Sequence, residues 1–435
     1  MRIGVAGLWH LGSVTAACLA QAGFDVVGVD APEVVAGLAA GRAPLLEPGL
    51  DALLSAGLAA GKLRFATANE AGLDAVDVLW VTYDTPVDDE DRADVGLVVA
   101  RVAEILPLLR DDSVVLVSSQ LPAGTTRQMK LRFEAAHPGR RLHFACSPEN
   151  LRLGKAIAAF TEAERIIIGC DGPEARQRLE PLVARLGTPA RWMGLESAEM
   201  VKHTINAFLA TSVTFINEIA GLCERLGADA AEVEAGIRSE PRIGPRAYVT
   251  PGGAFAGGTL ARDVTFLTGF GTTHGLPTPL LSGILPSNHQ HAGWAFRRIS
   301  ELLGQPGAAP LKGRRVAVLG LTYKAGTSTL RRSTAVELCD RLAAAGAEVL
   351  AFDPAVQALP AEMAPGWQLA SSAEAAMGGA DVLVVATEWP VFRELVPAMV
   401  AAAMRQPLVL DQNGFMAAAF AAAPGFRYFR VGKPH

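Results

Sequence analysis

Lys202 and Asn206 stand four residues apart in the run Glu199-Met200-Val201-Lys202-His203-Thr204-Ile205-Asn206. On a helix that spacing puts an ammonium and an amide on one face, where they can hold a ligand oxygen between them. A desolvated lysine amine can accept an alcohol proton while hydride leaves the carbon. The apolar remainder of the stretch, with Asn217-Glu218 further along, favours a buried pair over a solvated one. His203 has no partner legible in the sequence and is read as structural.

A second constellation lies at the start. Gly7-Leu8-Trp9-His10-Leu11-Gly12 follows the apolar run Ile3 to Ala6 and opens an Ala/Leu-rich stretch, Val14 to Ala22. Another apolar run, Phe24 to Val29, ends in Asp30. Strand, glycine turn, helix, strand and acid is the order of a dinucleotide site. Gly7 suits the tight turn and Gly12 the close packing of helix on strand. Trp9 stands where a middle glycine would let a pyrophosphate approach, which leaves open a structural turn that has lost its ligand. Asp30 favours NAD over NADP, since a carboxylate accepts ribose hydroxyls and repels a 2′-phosphate. Thr85-Pro86 and Ser119-Gln120 follow later apolar runs, at the strand ends where open α/β sheets bind ligands.

The elements that must position these groups follow from periodicity. Apolar runs at Val78 to Val81, Ser113 to Ser118 and Arg165 to Gly169 alternate with helical stretches, so residues 1–190 read as a doubly wound, mainly parallel sheet. Residues 196–228 carry apolar positions at three- and four-residue spacing and read as one long helix. Such a helix suits a place between domains or in a dimer interface, and 191–303 is a central helical region. Gly304 to Gly313 is turn-rich and reads as a linker. The strand–helix–strand pattern restarts at Arg315, giving a second Rossmann-like lobe over 313–435. The expected fold class is α/β, two Rossmann-like doubly wound lobes joined by a central helical region.

Bulk properties narrow the function. A net charge of −5 gives no basic footprint for nucleic acid. The five cysteines, Cys18, Cys146, Cys170, Cys223 and Cys339, have no metal-site or disulfide spacing, so no metal is expected and a reducing, cytoplasmic setting is. No signal peptide is read, and no uninterrupted apolar run of about 18 residues, so no membrane span is expected.

Several blocks together resemble the UDP-glucose/GDP-mannose dehydrogenase family. They are Ser147-Pro148-Glu149-Asn150-Leu151, the helix around Lys202, Pro251 to Asp263, Gly320 to Arg331, and Thr387-Glu388-Trp389. The resemblance covers nearly the whole chain. It implies NAD as cofactor, a nucleotide-sugar substrate and at least a homodimer. It further implies that Glu149 activates water, that Lys202, Asn206 and Asp263 serve the oxidation, and that Arg262 and Arg331 lie on the cofactor side with Gly7, Trp9, Leu11, Gly12, Asp30, Thr85, Pro86, Ser119 and Gln120. Leu151, Phe255, Gly257, Tyr323 and Lys324 fall at substrate-side positions, and Arg242 matches an arginine that reaches substrate across the dimer.

The departures cluster at the chemistry. The family's segment Gly-Phe-Gly-Gly-Ser-Cys-Phe-Pro-Lys-Asp places its nucleophilic Cys where this chain has Thr259. Gln120 replaces a Thr near the reacting carbon, and Asn413 replaces an Arg that binds the sugar nucleotide. A Thr hydroxyl is a poor nucleophile without a dedicated base, so the covalent second oxidation should be blocked while the first survives. The expected activity is a two-electron oxidation of a sugar alcohol to an aldehyde or ketone. Alternatives are an acid formed by a non-covalent route, a non-catalytic nucleotide-sugar-binding relative, and Cys146 as a substitute thiol, which a buried strand-end position disfavours.

Overall fold

The computed structural model describes every residue except Leu46, Val87, 89–92, Glu149, Asn150, Arg152, Ala361, Glu362 and His435. The chain divides into two compact units, Met1–Ile205 and Asn206–His435. The fold is the expected α/β class, with two Rossmann-like lobes and a long central helix.

The first unit is built on β1 (Arg2–Ala6), β2 (Asp25–Val29), β3 (Leu63–Ala66), β4 (Val78–Val81), β5 (Val114–Val117), β6 (His143–Cys146), β7 (Ile166–Cys170) and β8 (Ala190–Gly194). Their order is β3-β2-β1-β4-β5-β6-β7-β8. All described pairings are parallel except β6 with β7. The central strands β4 and β5 are Val- and Leu-rich and buried along their lengths, as a sheet covered by helices on both faces requires. Register decides function here. Ala6 pairs with Val29 and Val81, Val81 with Val117, and Val117 with Cys146. Everything that follows those residues therefore emerges at one edge, on either side of the switch point between β1 and β4.

The second lobe repeats the device with β9 (Arg315–Leu319), β10 (Glu348–Phe352), β11 (Gln368–Leu369), β12 (Val382–Val385), β13 (Leu408–Asp411) and β14 (Arg427–Phe429), in the order β11-β10-β9-β12-β13-β14. Gly320 follows β9 at φ +92°, where a Cβ would come within 2.4 Å of Thr387. Asp353 follows β10 and accepts from the backbone of Leu321 and Thr322 at 2.7 and 2.9 Å. The first lobe does the same with Gly7 and Asp30.

Five helices carry the rest of the argument: α1 (His10–Gln21), α2 (Thr125–Ala136), α3 (Leu195–Leu226), α4 (Thr259–Thr273) and α5 (Pro279–Ala292). At 32 residues α3 is long and apolar enough, by length and composition, to cross a membrane. Within the protein 39% of its apolar window is buried. Leu195 and Ala198 enter the core of the first unit, Ala207 and Ala210 pack with Val264 and Ile284, and Ala220 and Cys223 enter the core of the second lobe.

Candidate active site

The glycine turn after β1 is shaped by contact. Gly7 has φ +94°, and a Cβ on it would lie 2.6 Å from the Tyr83 backbone. A Cβ on Gly12 would lie 1.8 Å from the Gly7 carbonyl oxygen, so no side chain fits where α1 meets the turn. Trp9 adopts φ −73°, a value open to any L residue, and its side chain is 45% exposed. Nearly half of its surface thus stays in solvent at the position of the missing middle glycine. Trp9 gives α1 no side-chain cap, so first-turn N–H groups face an incoming anion. The Asp30 carboxylate accepts from the amides of Leu8 at 2.6 Å and Ala31 at 2.7 Å, which fixes the turn and keeps further lone pairs for a ribose.

The loops after β4, β5 and β6 are tied to one another. Trp80 Nε1 donates to Ser118 Oγ at 2.8 Å, and Ser118 Oγ donates to the Ser147 carbonyl at 2.5 Å. Thr85 Oγ1 donates to the Gln120 carbonyl at 2.8 Å. Pro86 follows it on the exposed rim. Ser119 Oγ is buried and has no hydrogen-bond partner among the described residues. A buried hydroxyl at a ligand-binding strand end is a group suited to a ligand or a water. With the Gly7–Gly12 turn and Asp30, it makes the first unit a fit for a dinucleotide. Bound there, NAD supplies the hydride acceptor.

Lys202 lies on α3, partly buried. It lines a cavity of about 650 Å³ with Leu11, Trp80, Pro148, Leu151 and Lys155, and a smaller one of about 30 Å³ with Ser119, Gln120, Glu199 and His203. Leu151 and Leu11 thus share a wall with Lys202. Glu149 lies outside the described residues. His203, read from sequence as lacking a partner, has one: it is 1% exposed and its Nε2 donates to the Leu121 carbonyl at 3.1 Å.

Asn206 follows Lys202 by one turn of α3 and belongs to the second unit. It is buried, and its Nδ2 donates to Asp263, which is fully buried at the start of α4. The amide and carboxylate thus hold each other, and Asp263 orders Asn206 directly. Arg262 precedes Asp263, partly buried. Thr259 is the first residue of α4, exposed, with no hydrogen-bond partner for its hydroxyl among the described residues. Cys146 offers no replacement: it is 3% exposed, its Sγ donates to the Leu195 carbonyl at 3.4 Å, and burial pushes its thiol far above the usual range. Burial raises the Cys170 thiol to about 11.

The glycine-rich segment before Thr259 is held by side chains to which the sequence assigned no such task, Asn217 and Asn413 among them. Asn217 accepts from Gly252 N at 3.0 Å and donates to the Gly253 carbonyl at 3.3 Å. His291 on α5 donates to the Gly252 carbonyl at 2.7 Å, and burial lowers its imidazole pKa. Asn288 exchanges two hydrogen bonds with the backbone of Phe255, at 3.0 and 2.9 Å. Asn413, in the place of the expected arginine, accepts from Gly253 N at 2.7 Å and hydrogen-bonds Glu388. Burial, helped by the Asp411 charge, raises Glu388 above the usual carboxylate range. The signal for these residues was weak: single amides and a histidine scattered over three segments. Of the substrate-side positions, Gly257, Tyr323 and Lys324 lie together. A Cβ on Gly257 would lie 3.4 Å from the Tyr323 ring, and the Lys324 ammonium lies 5.5 Å from the centroid of that ring. Arg242 is exposed and pairs with Glu240 at 2.7 Å within its own loop, and Arg331 is exposed in a turn.

Comparison with known proteins extends this geometry. Residues 1–186 match the NAD binding domain of the UDP-glucose/GDP-mannose dehydrogenase family, 196–290 its central domain and 317–418 its UDP binding domain. The chain is 33% identical over 442 residues to the UDP-glucose 6-dehydrogenase of Rhizobium meliloti (strain 1021), covering 100% of both chains. Among solved structures it is similar to a UDP-glucose dehydrogenase from Pyrobaculum islandicum, with a TM-score of 0.84 and 32% identity over 94% of this chain and 93% of that one. It is also similar to a UDP-D-ManNAc dehydrogenase from Pyrococcus horikoshii, with a TM-score of 0.83 and 25% identity over 100% and 99% of the two chains.

Proposed function

The chain belongs to the UDP-glucose/GDP-mannose dehydrogenase family and is an NAD-dependent oxidoreductase of it, and from that premise we propose that it oxidises an alcohol of a UDP-linked sugar by two electrons and stops at the aldehyde or ketone. The observation that carries this reading is Thr259, exposed at the head of α4 with no hydrogen-bond partner for its hydroxyl among the described residues. Residues 1–190 hold the cofactor, 313–435 the nucleotide, and 191–303 carry the helix between. Lys202 accepts the alcohol proton. Asn206, ordered by Asp263, holds the same oxygen. Tyr323 and Lys324 receive the uracil and phosphate end, with Phe255 and Gly257 beside them. UDP-glucose is the first sugar to try, because relatives bear its name.

The test is a panel of UDP-sugars with NAD, read at 340 nm, beside melting curves with and without NAD. NADH formation with at least one sugar and a melting point raised by NAD are expected. NAD-dependent stabilisation with no turnover of any UDP-sugar would sink the proposal.

The working form is a homodimer built on α3. Phe208, Phe215 and Leu222, spaced by seven residues, are 66, 50 and 58% exposed, and Leu226 is 80% exposed. An apolar stripe at that spacing on one helix face suits a second copy of the same helix. The protein should sediment at twice its 45.5 kDa chain mass, and Phe215→Glu should sediment as a monomer. A monomeric parent would contradict this.

A further inference from the structure

Glu199 takes no part in the chemistry above, yet it is 7% exposed and its carboxylate is fully engaged. Oε2 accepts from Gly124 N at 2.6 Å, while Oε1 accepts from Thr126 N at 3.1 Å and Thr126 Oγ1 at 2.7 Å. These donors are the first turn of α2, whose N-cap, Gly124, has φ +89° and no side chain to cap with. Glu199 supplies the missing cap from α3, where the helix N-terminus favours a negative charge. Burial still holds its carboxyl above the usual range, against the three donors.

One turn along α3, His203 holds the Leu121 carbonyl. The loop from Ser119 to Gly124 is thus pinned at its middle and at its end by two residues that flank Lys202. From the other side Thr85 holds the Gln120 carbonyl. Ser119, Gln120, Glu199, Lys202 and His203 all wall the cavity of about 30 Å³, which is room for about one water.

We propose that Glu199 and His203 are positioning residues: they hang the cofactor loop on α3 so that Lys202 and the polar groups of Ser119 and Gln120 keep one fixed geometry around a water-sized cavity. The proposal rests on reading Ser119 and Gln120 as cofactor contacts. Glu199→Gln presents an NH₂ to donors that need an acceptor, so it loosens the loop without changing volume. Thr126→Val removes one of the three donors and leaves Glu199 in place.

The experiment is hydrogen–deuterium exchange of the full chain, with NAD titration, for the parent, Glu199→Gln and Thr126→Val. Expected for Glu199→Gln is exchange at least about tenfold faster across 119–128, less than about twofold faster elsewhere, and a Kd for NAD raised at least about fivefold. Thr126→Val should move both in the same direction by a smaller factor, and it decides the question if Glu199→Gln fails to fold. Exchange unchanged, or accelerated evenly along the chain, would overturn the proposal. So would a loosened loop with unchanged NAD affinity. Both readouts need NAD and no sugar, so failure to turn over any UDP-sugar would not be mistaken for failure here.

Discussion

Lys202→Met is expected to lower kcat by roughly 10²- to 10⁴-fold, the range that loss of a positioned acid–base group produces. Methionine keeps most of the buried stem, so the walls of both cavities that Lys202 lines should survive. Stabilisation by NAD should therefore stay close to that of the parent. KM for the sugar should change much less than kcat, because the proton is transferred only as the barrier is crossed. A loss below about tenfold would remove Lys202 from the role of base.

Thr259→Cys is expected to change the product as well as the rate. The position heads α4, and a helix N-terminus lowers a thiol pKa. If the parent makes an aldehyde, the new thiol adds across its carbonyl, a second hydride leaves to NAD, and water releases the acid and regenerates the thiol. The count of NADH per sugar then rises from one to two. If the parent makes a ketone, no second hydride is available and the count stays at one. The substitution thus tells which kind of carbon is oxidised. A variant that trapped no aldehyde the parent demonstrably releases would show that position 259 does not reach the reacting carbon.

Much of the fold was legible because its signals are local. A short apolar strand, a glycine at φ +94° and an acid after the next strand identify the first βαβ unit, and Gly320 with Asp353 repeat the pattern in the second lobe. The long helix was legible from its period, with ends within two residues of those observed, Leu195 and Leu226. The shared helix of Lys202 and Asn206 was legible for the same reason.

What escaped was non-local. Nothing along the chain says that Glu199 caps α2 from 73 residues away, or that His203 finds the Leu121 carbonyl. The residue type of Trp9 was visible, and its 45% exposure was not. Asn413 looked like a lost ligand contact. In the structure its amide secures Gly253, and a Cβ on Gly252 would lie 2.5 Å from its Oδ1. That local contact is not legible from residue type alone.

The central claim is that oxidation ends after one hydride. It is tested most directly by counting NADH formed against UDP-sugar consumed at complete conversion by the parent protein. The account predicts one NADH per sugar, with an aldehyde or ketone as product. Two per sugar, with a carboxylate as product, would contradict it, because the acid would then form with threonine at position 259.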